Sequence, residues 1–227
     1  MLTLHESKVW GALVFIAMTT TRDLAKVRVF HITDVANLPG IIGDGCLYSD
    51  DLMPLLGNIK RQIGYSHIKE RRRHMQVTCC GRMVSAFVPF YFCPRSPMLF
   101  TLNKGNVEGC PPGCQTGIVH LVSTVQIAID LGHDWAIADE SANSNYPPNF
   151  YDDPSRLDRI NWSVVQSNSW GGQAHIKQAE FLVADNFPFA GITHIGCHNT
   201  GVVAHVTKLT AALANPPTVA REPGWYY

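Results

Sequence analysis

The sequence predicts an α+β domain built on a split mixed β-sheet. Three observations carry this: short segments alternate apolar and polar side chains at the period of a strand, helical periodicity is confined to a few short runs, and the stretches between them are long and rich in Gly, Pro, Asn and Asp. With 227 residues, 46% hydrophobic and 16% charged, the chain can bury one sizeable core and has the composition of a folded protein. Its formal net charge is zero, so no overall field draws it to nucleic acid or to a membrane surface, and any polyanion must meet a local cluster. Lys69-Glu70-Arg71-Arg72-Arg73-His74 is such a cluster.

Taken in order, residues 1–24 read as an N-terminal extension. The apolar run Val9–Met18 is too short to span a bilayer and lacks a clear signal-cleavage site, and Met18 followed by Thr19-Thr20-Thr21 offers an alternative start. Residues 25–227 are then expected to form one domain, monomeric and without a membrane span. Val27–Ile32 reads as the first core strand. Thr33-Asp34 offers a cap for a short helix bearing Val35, Leu38, Ile41 and Ile42, which Pro39 limits or kinks and Gly43-Asp44-Gly45 ends. His31, near the carboxyl end of that strand, is either a ligand-facing group or a satisfied core histidine.

Asp50–Gly81 is a long polar excursion with one expected helix around Ile59–Arg73, the kind of insertion that covers or builds a site. Arg71-Arg72-Arg73 is either a solvated helix face or a source of bidentate phosphate contacts. Val84–Phe92 alternates as a second strand, with Pro89 suggesting an edge or bulge. Ile118–Val122 is a third strand, followed by a helix from a Ser123 cap to Leu131 that Gly132 closes, and Trp135–Ala138 is a short fourth. A polar loop and the stretch Ser167–Ile176 lead into Gln178–Val183. There Ala179, Phe181 and Val183 share one face and Glu180 projects from the other. A carboxylate among such neighbours must be paired, solvated in a cleft or perturbed. Ile192–Cys197 is a further strand and Val202–Leu213 an amphipathic helix.

The seven cysteines form no C-x-x-C pair, which favours free thiols in a reducing cytoplasm. The alternative is a zinc site drawing on Cys79-Cys80 or Cys110 and Cys114 with His74 or His120, although no metal is expected.

Several stretches together resemble the DarT family, the DNA ADP-ribosyltransferase toxins of bacterial toxin–antitoxin pairs. They are Phe30-His31-Ile32-Thr33 with Asn37-Leu38-Pro39-Gly40-Ile41, His67–Arg72, Val88-Pro89-Phe90-Tyr91-Phe92-Cys93-Pro94-Arg95-Ser96-Pro97-Met98-Leu99, Val119–Val122, Asp158–Trp162, Gln178–Val183 and the terminal Trp225-Tyr226-Tyr227. The resemblance implies the ADP-ribosyltransferase fold, in which two small sheets form a cleft for NAD, used as a co-substrate. By the same resemblance Glu180 is the catalytic glutamate and Arg72 holds an NAD phosphate close to the acceptor base. His31 contacts the adenosine-side ribose or orients the nicotinamide end, Thr33 and Asn37 line the same pocket, and Tyr91 stacks on nicotinamide. Arg95 and Met98 contact DNA or simply form a turn beside the sheet, and Tyr151–Ile176 corresponds to the substrate-recognising loop.

The expected reaction is transfer of ADP-ribose from NAD to a base in single-stranded DNA, thymine first, with a macrodomain-type antitoxin as the implied partner. Guanine, RNA or protein acceptors are the alternative within the fold, and a catalytically silent single-strand binder is the alternative outside it. The chemistry suits these residue types. Cleavage between nicotinamide and ribose passes through an oxocarbenium-like state that a carboxylate stabilises, guanidinium groups neutralise pyrophosphate, and an unpaired base exposes its Watson–Crick edge. One departure stands out: where the family commonly carries a histidine shortly after the Asp139 strand, this chain reads Asp139-Glu140-Ser141-Ala142.

Overall fold

In the computed structural model, which describes residues 22–56, 61, 63–144 and 146–227, the sheet is assembled around strand β1 (Arg28–Asp34). Val29, Phe30 and Ile32 are buried along it, as the alternation requires once both faces are covered. The Asp34 carboxylate accepts from Ala36 N at 2.9 Å and starts a short turn that runs into α1 (Leu38–Asp44). Pro39 falls in the first turn of α1, where a missing N–H costs nothing, and Gly45 closes the helix at φ +72°.

The remaining strands are β2 (Cys46–Tyr48), β3 (Phe87–Tyr91), β4 (Ile118–Thr124), β5 (Trp135–Ala138), β6 (Phe150–Tyr151), β7 (Glu180–Ala184), β8 (Asn186–Pro188), β9 (His194–Cys197) and β10 (Thr218–Arg221). They form a sheet in the order β10-β9-β4-β1-β3-β7-β5-β6, with β2 and β8 paired apart. The β9–β10 pair is parallel and the others antiparallel, so the sheet is mixed. Its decisive feature is the junction at its middle. β1 pairs with β4 along its whole length but meets β3 at one register position, Phe30 opposite Tyr91. The sheet is therefore two four-stranded halves pinned at one point, and the expected split is real.

Several local expectations are corrected. Pro89 lies on an interior strand, not an edge. Its carbonyl faces β1 and accepts from the His31 side chain, so the N–H it lacks is a donor missing from the β1–β3 seam, where pairing lapses. The second strand begins at Phe87, because Val84–Ala86 is a 3-10 turn. The helix α5 (Val125–Asp130) is capped by Thr124, which accepts from Ile127 N at 3.2 Å. Ser123, expected in that role, is buried and donates to the Gly191 carbonyl at 2.7 Å. The excursion after Asp50 holds α2 (Met53–Leu56) and α3 (Ser66–His74), and the expected start at Ile59 lies outside the described residues. Apart from Arg22, Asp23 and Leu24, the N-terminal extension lies outside them too.

Further helices are α4 (Pro97–Asn103), α6 (Trp162–Gln166), α7 (Ala174–Lys177) and α8 (Thr200–Thr210). Phe90, Phe181, Ile137 and Val29 form the main core with Phe187 and Val206, and Trp135 stacks on Phe181 at 5.4 Å. On the opposite face Phe87, Leu182, Ala136 and Ala138 pack with Val77. No described helix is long and apolar enough to cross a membrane.

A third cluster ties the end of the chain to the sheet. Tyr226 is buried against Ile32, Leu99 and Ile118, and its hydroxyl lies 2.9 Å from the Ile118 carbonyl, 3.0 Å from the Gly196 carbonyl and 3.2 Å from His120 Nδ1. His120 Nε2 lies 2.9 Å from the Pro94 carbonyl, which can only accept, so Nε2 carries the proton. Burial lowers the His120 pKa to about 4. The unfolded chain therefore takes up a proton near pH 6.5 that the folded chain refuses until about pH 4. We expect the stability present above pH 6.5 to fall by roughly 3 kcal/mol between pH 6.5 and 4. Urea melts across that range should show a shallower fall in His120→Gln.

Candidate functional site

The register line Phe30–Tyr91–Glu180–Ala138 crosses four strands at the waist of the sheet, and the candidate residues gather around it. Glu180 opens β7 with its side chain only 1% exposed. From 108 residues away, the helix α3 presents Arg72, whose Nη1 donates to Glu180 Oε2 at 2.9 Å. Arg72 is itself buried. Burial alone would lower the guanidinium pKa, and the Glu180 carboxylate beside it more than offsets that, which holds Arg72 charged. Each partner keeps one buried polar atom unused: Arg72 Nη2 and Glu180 Oε1 have no hydrogen-bond partner among the described residues. Such atoms are costly to leave bare in a finished core.

Beside this pair runs a cleft lined by His31, Thr33, Asn37, Tyr91 and Met98. His31 Nδ1 donates to the Pro89 carbonyl at 2.9 Å, which leaves Nε2 as an acceptor. Burial lowers the His31 pKa, so the imidazole is neutral at neutral pH. Asn37 donates to Thr33 Oγ1 at 3.1 Å and to the Arg61 carbonyl at 2.7 Å, and its Oδ1 accepts from Arg61 N at 2.8 Å. Those bonds clamp Arg61, within the excursion, to the turn that follows β1 and form one wall. Tyr91 is buried, and its hydroxyl donates to Met98 Sδ at 3.6 Å. Burial, with the Glu180 carboxylate nearby, pushes its phenol pKa far up, so it stays a neutral donor.

Met98 therefore belongs with the cofactor candidates in space, although the sequence pairs it with Arg95 as a DNA contact. Arg95 lines a different hollow, its guanidinium 4.4 Å above the Tyr227 ring. Lys69, from the basic run, lines the cleft too, and two further cleft residues carry no signal of their own in the sequence: Asp50 and Arg61. Asp50 holds Lys69 Nζ at 2.6 Å, and Arg61 Nη1 lies 3.3 Å from Asp34 Oδ2. The only hint available was the length of the excursion that bears them.

Ser141, at the departure from the family pattern, is buried, and its hydroxyl has no partner among the described residues. Its backbone N donates at 2.9 Å to the carbonyl of His175 on α7, whose ring lies 3.9 Å from the Glu140 carboxylate. An imidazole thus stands beside this loop, contributed from another part of the chain. All seven cysteines are free thiols, and no three His, Cys, Asp or Glu side chains among the described residues are grouped to hold a metal.

Comparison with known proteins follows the same geometry. Residues 30–227 match the family model described as "ssDNA thymidine ADP-ribosyltransferase, DarT". A DNA ADP-ribosyl transferase of Thermus sp. (strain 2.9) is 34% identical over 205 residues, 88% of this chain and 95% of the relative. The structure of Thermus sp. 2.9 DarT with ADP-ribosylated ssDNA superposes with a TM-score of 0.83 at 32% identity, over 88% of this chain and 96% of that one. The same protein with NAD+ gives 0.79 at 29% identity, over 92% and 100%. The fold is thus that of an ADP-ribosyltransferase, and this chain belongs to the DarT family of DNA ADP-ribosyltransferases.

Proposed function

We propose that this chain, through one catalytic domain over residues 25–227, transfers ADP-ribose from NAD to a thymine base in single-stranded DNA and releases nicotinamide. The observation that carries the site assignment is the buried Arg72–Glu180 pair with one bare atom on each partner, beside a cleft that already holds a neutral imidazole and a phenol. In this reading His31 Nε2 accepts from a ribose hydroxyl, and Thr33, Asn37 and Tyr91 shape the cofactor wall. Arg72 offers Nη2 to an anionic oxygen.

The nicotinamide–ribose C–N bond breaks with its electron pair leaving on nicotinamide, and positive charge grows on the ribose. The Glu180 carboxylate, held in place by Arg72, lowers the energy of that charge without having to reorganise. The base nitrogen attacks the ribose carbon and its proton passes to Glu180 Oε1, whose lack of a partner suits it as the acceptor. A macrodomain-type antitoxin that removes the ADP-ribose is the proposed partner, tested by rescue of growth on co-expression.

The test of the reaction uses purified protein, NAD and two single-stranded oligonucleotides, one lacking T and one lacking G, read by mass spectrometry. One added ADP-ribose on the T-containing strand alone is expected. Modification of the G-containing strand alone would replace thymine by guanine, and an unmodified pair would end the DNA assignment. His31→Ala should raise the KM for NAD roughly tenfold, the worth of one lost hydrogen bond, with a smaller change in kcat. Steady-state nicotinamide release separates the two constants.

A further inference from the structure

We infer that a second, basic hollow next to the candidate site seats a phosphate of the DNA strand adjacent to the target base; this rests on the DNA-directed reading above. The hollow, of about 300 Å3, is bounded by Arg22, Arg28, Arg95, Lys177, Trp162 and Asn168 together with Lys26, and no Asp or Glu lines it. Arg22, Arg28, Arg95 and Lys177 have no carboxylate partner among the described residues. Lys26 is paired with Asp23 at 2.9 Å, but four further cations converge on a hollow lined by no carboxylate and repel one another, and an anion relieves that repulsion.

Two of these cations are built in rather than draped on the surface. Lys177 is 1% exposed, and its ammonium donates to the Val165 and Ser167 carbonyls at 2.8 and 2.7 Å, with the Cys93 thiol beside it and the Trp170 ring centroid 5.9 Å away. Arg95 rests on Tyr227, gives Nη1 to Asn168 Oδ1 at 3.3 Å and keeps Nε buried without a partner. A buried cation with no carboxylate beside it keeps its charge uncompensated, and a phosphate oxygen compensates it.

The location ties the hollow to the reaction. Lys177 lies three residues before Glu180, while Arg28 at the start of β1 and Cys93 just past the end of β3 each lie two residues from the Phe30–Tyr91 pair. Phe30 lines the basic hollow and its cross-strand partner Tyr91 lines the cofactor cleft, so the two cavities back onto one register line. The aromatic neighbours favour a nucleic acid over a small anion. Arg22 lies 4.1 Å over the Trp162 ring, and Phe92 meets Trp162 edge-on at 5.5 Å. Cations that track a backbone beside ring faces are the usual arrangement for single strands.

Lys177 also struts the loop that carries Trp162, so its removal would unfold the loop as well as discharge the hollow. Exposed Arg28 and half-buried Arg95 are the residues to change. Binding of a labelled T-containing oligonucleotide to the full chain should be followed by fluorescence anisotropy across a NaCl series, for the unaltered chain, Arg28→Ala, Arg95→Gln and the double variant, with melting curves to confirm folding. Each single variant should weaken binding several-fold and lower the slope of log K against log salt by about 0.7, the value for one lost phosphate contact on a single strand. A methylphosphonate placed beside the target T should weaken the unaltered chain, with little further loss in the double variant. Unaltered slopes in folded variants of a chain that binds DNA would overturn the phosphate seat and leave the DNA reading standing. A chain that binds no single strand at any salt would overturn both.

Discussion

Glu180→Gln is expected to lose at least 1,000-fold in ADP-ribose transfer, on the order of 4 kcal/mol or more of transition-state stabilisation, while remaining folded. Gln keeps a carbonyl for Arg72 Nη1 but has neither the charge to steady an oxocarbenium ribose nor the basicity to take the proton of the base. Glu180→Ala should lose as much activity and also stability. With Glu180 gone, the Arg72 guanidinium is buried without its one carboxylate, a change that typically costs about 3–5 kcal/mol. Replacing both partners by apolar side chains of similar size should restore most of the stability and none of the activity. Mass spectrometry of the oligonucleotide and urea melts of the four proteins check this. Full transfer by Glu180→Gln would remove Glu180 from the chemistry.

Gly196→Ala is expected to be the most damaging single methyl in the chain. A Cβ there would lie 2.2 Å from Cζ3 and 2.5 Å from Cε3 of Trp225, and neither the strand β9 nor the ring can yield cheaply. Trp225 also meets Phe30 edge-on at 5.3 Å, and Phe30 is the β1 half of the pin across the split sheet. The cost should be about 3 kcal/mol, a fall of roughly 6–12 °C in Tm for a domain of this size. If the ring is expelled instead, the change reaches the candidate site through Phe30, and transfer should fall along with stability. Thermal melts and tryptophan fluorescence distinguish the two. A variant that melts like the original would show that the Trp225 packing is dispensable.

The parts of the fold legible in the sequence were those with local chemistry. β1, β4 and β7 are runs of β-branched and aromatic residues long enough to show their period, and Glu180 stood out on the last of them. β2, β6, β8 and β10 were not anticipated: with two to four residues each, none has enough pattern to read, and their partners decide them. Pro89 was misread because proline on a strand signals an absent donor without saying which neighbour does without it. Arg72 was singled out among three adjacent arginines by resemblance alone. That it is the buried one, bonded to Glu180, follows from the packing of α3, and no local pattern marks it. Lys177 stands directly before the Gln178–Val183 stretch and still gave no sign, because burial of a lysine is decided by the loop that folds over it.

The single pin between β1 and β3 makes a ligand part of the architecture. Each half-sheet is internally continuous, so each should resist amide exchange as its own cooperative unit, with the seam strands opening at lower free energy than β4 or β7. A molecule seated in the cleft touches β1 through His31 and Thr33 and β3 through Tyr91, and so bridges what the backbone leaves unlinked. Saturating NAD should therefore raise protection on both sides of the seam together, converting two exchange units into one. Occupancy of the cleft would then be readable from the far edges of the sheet.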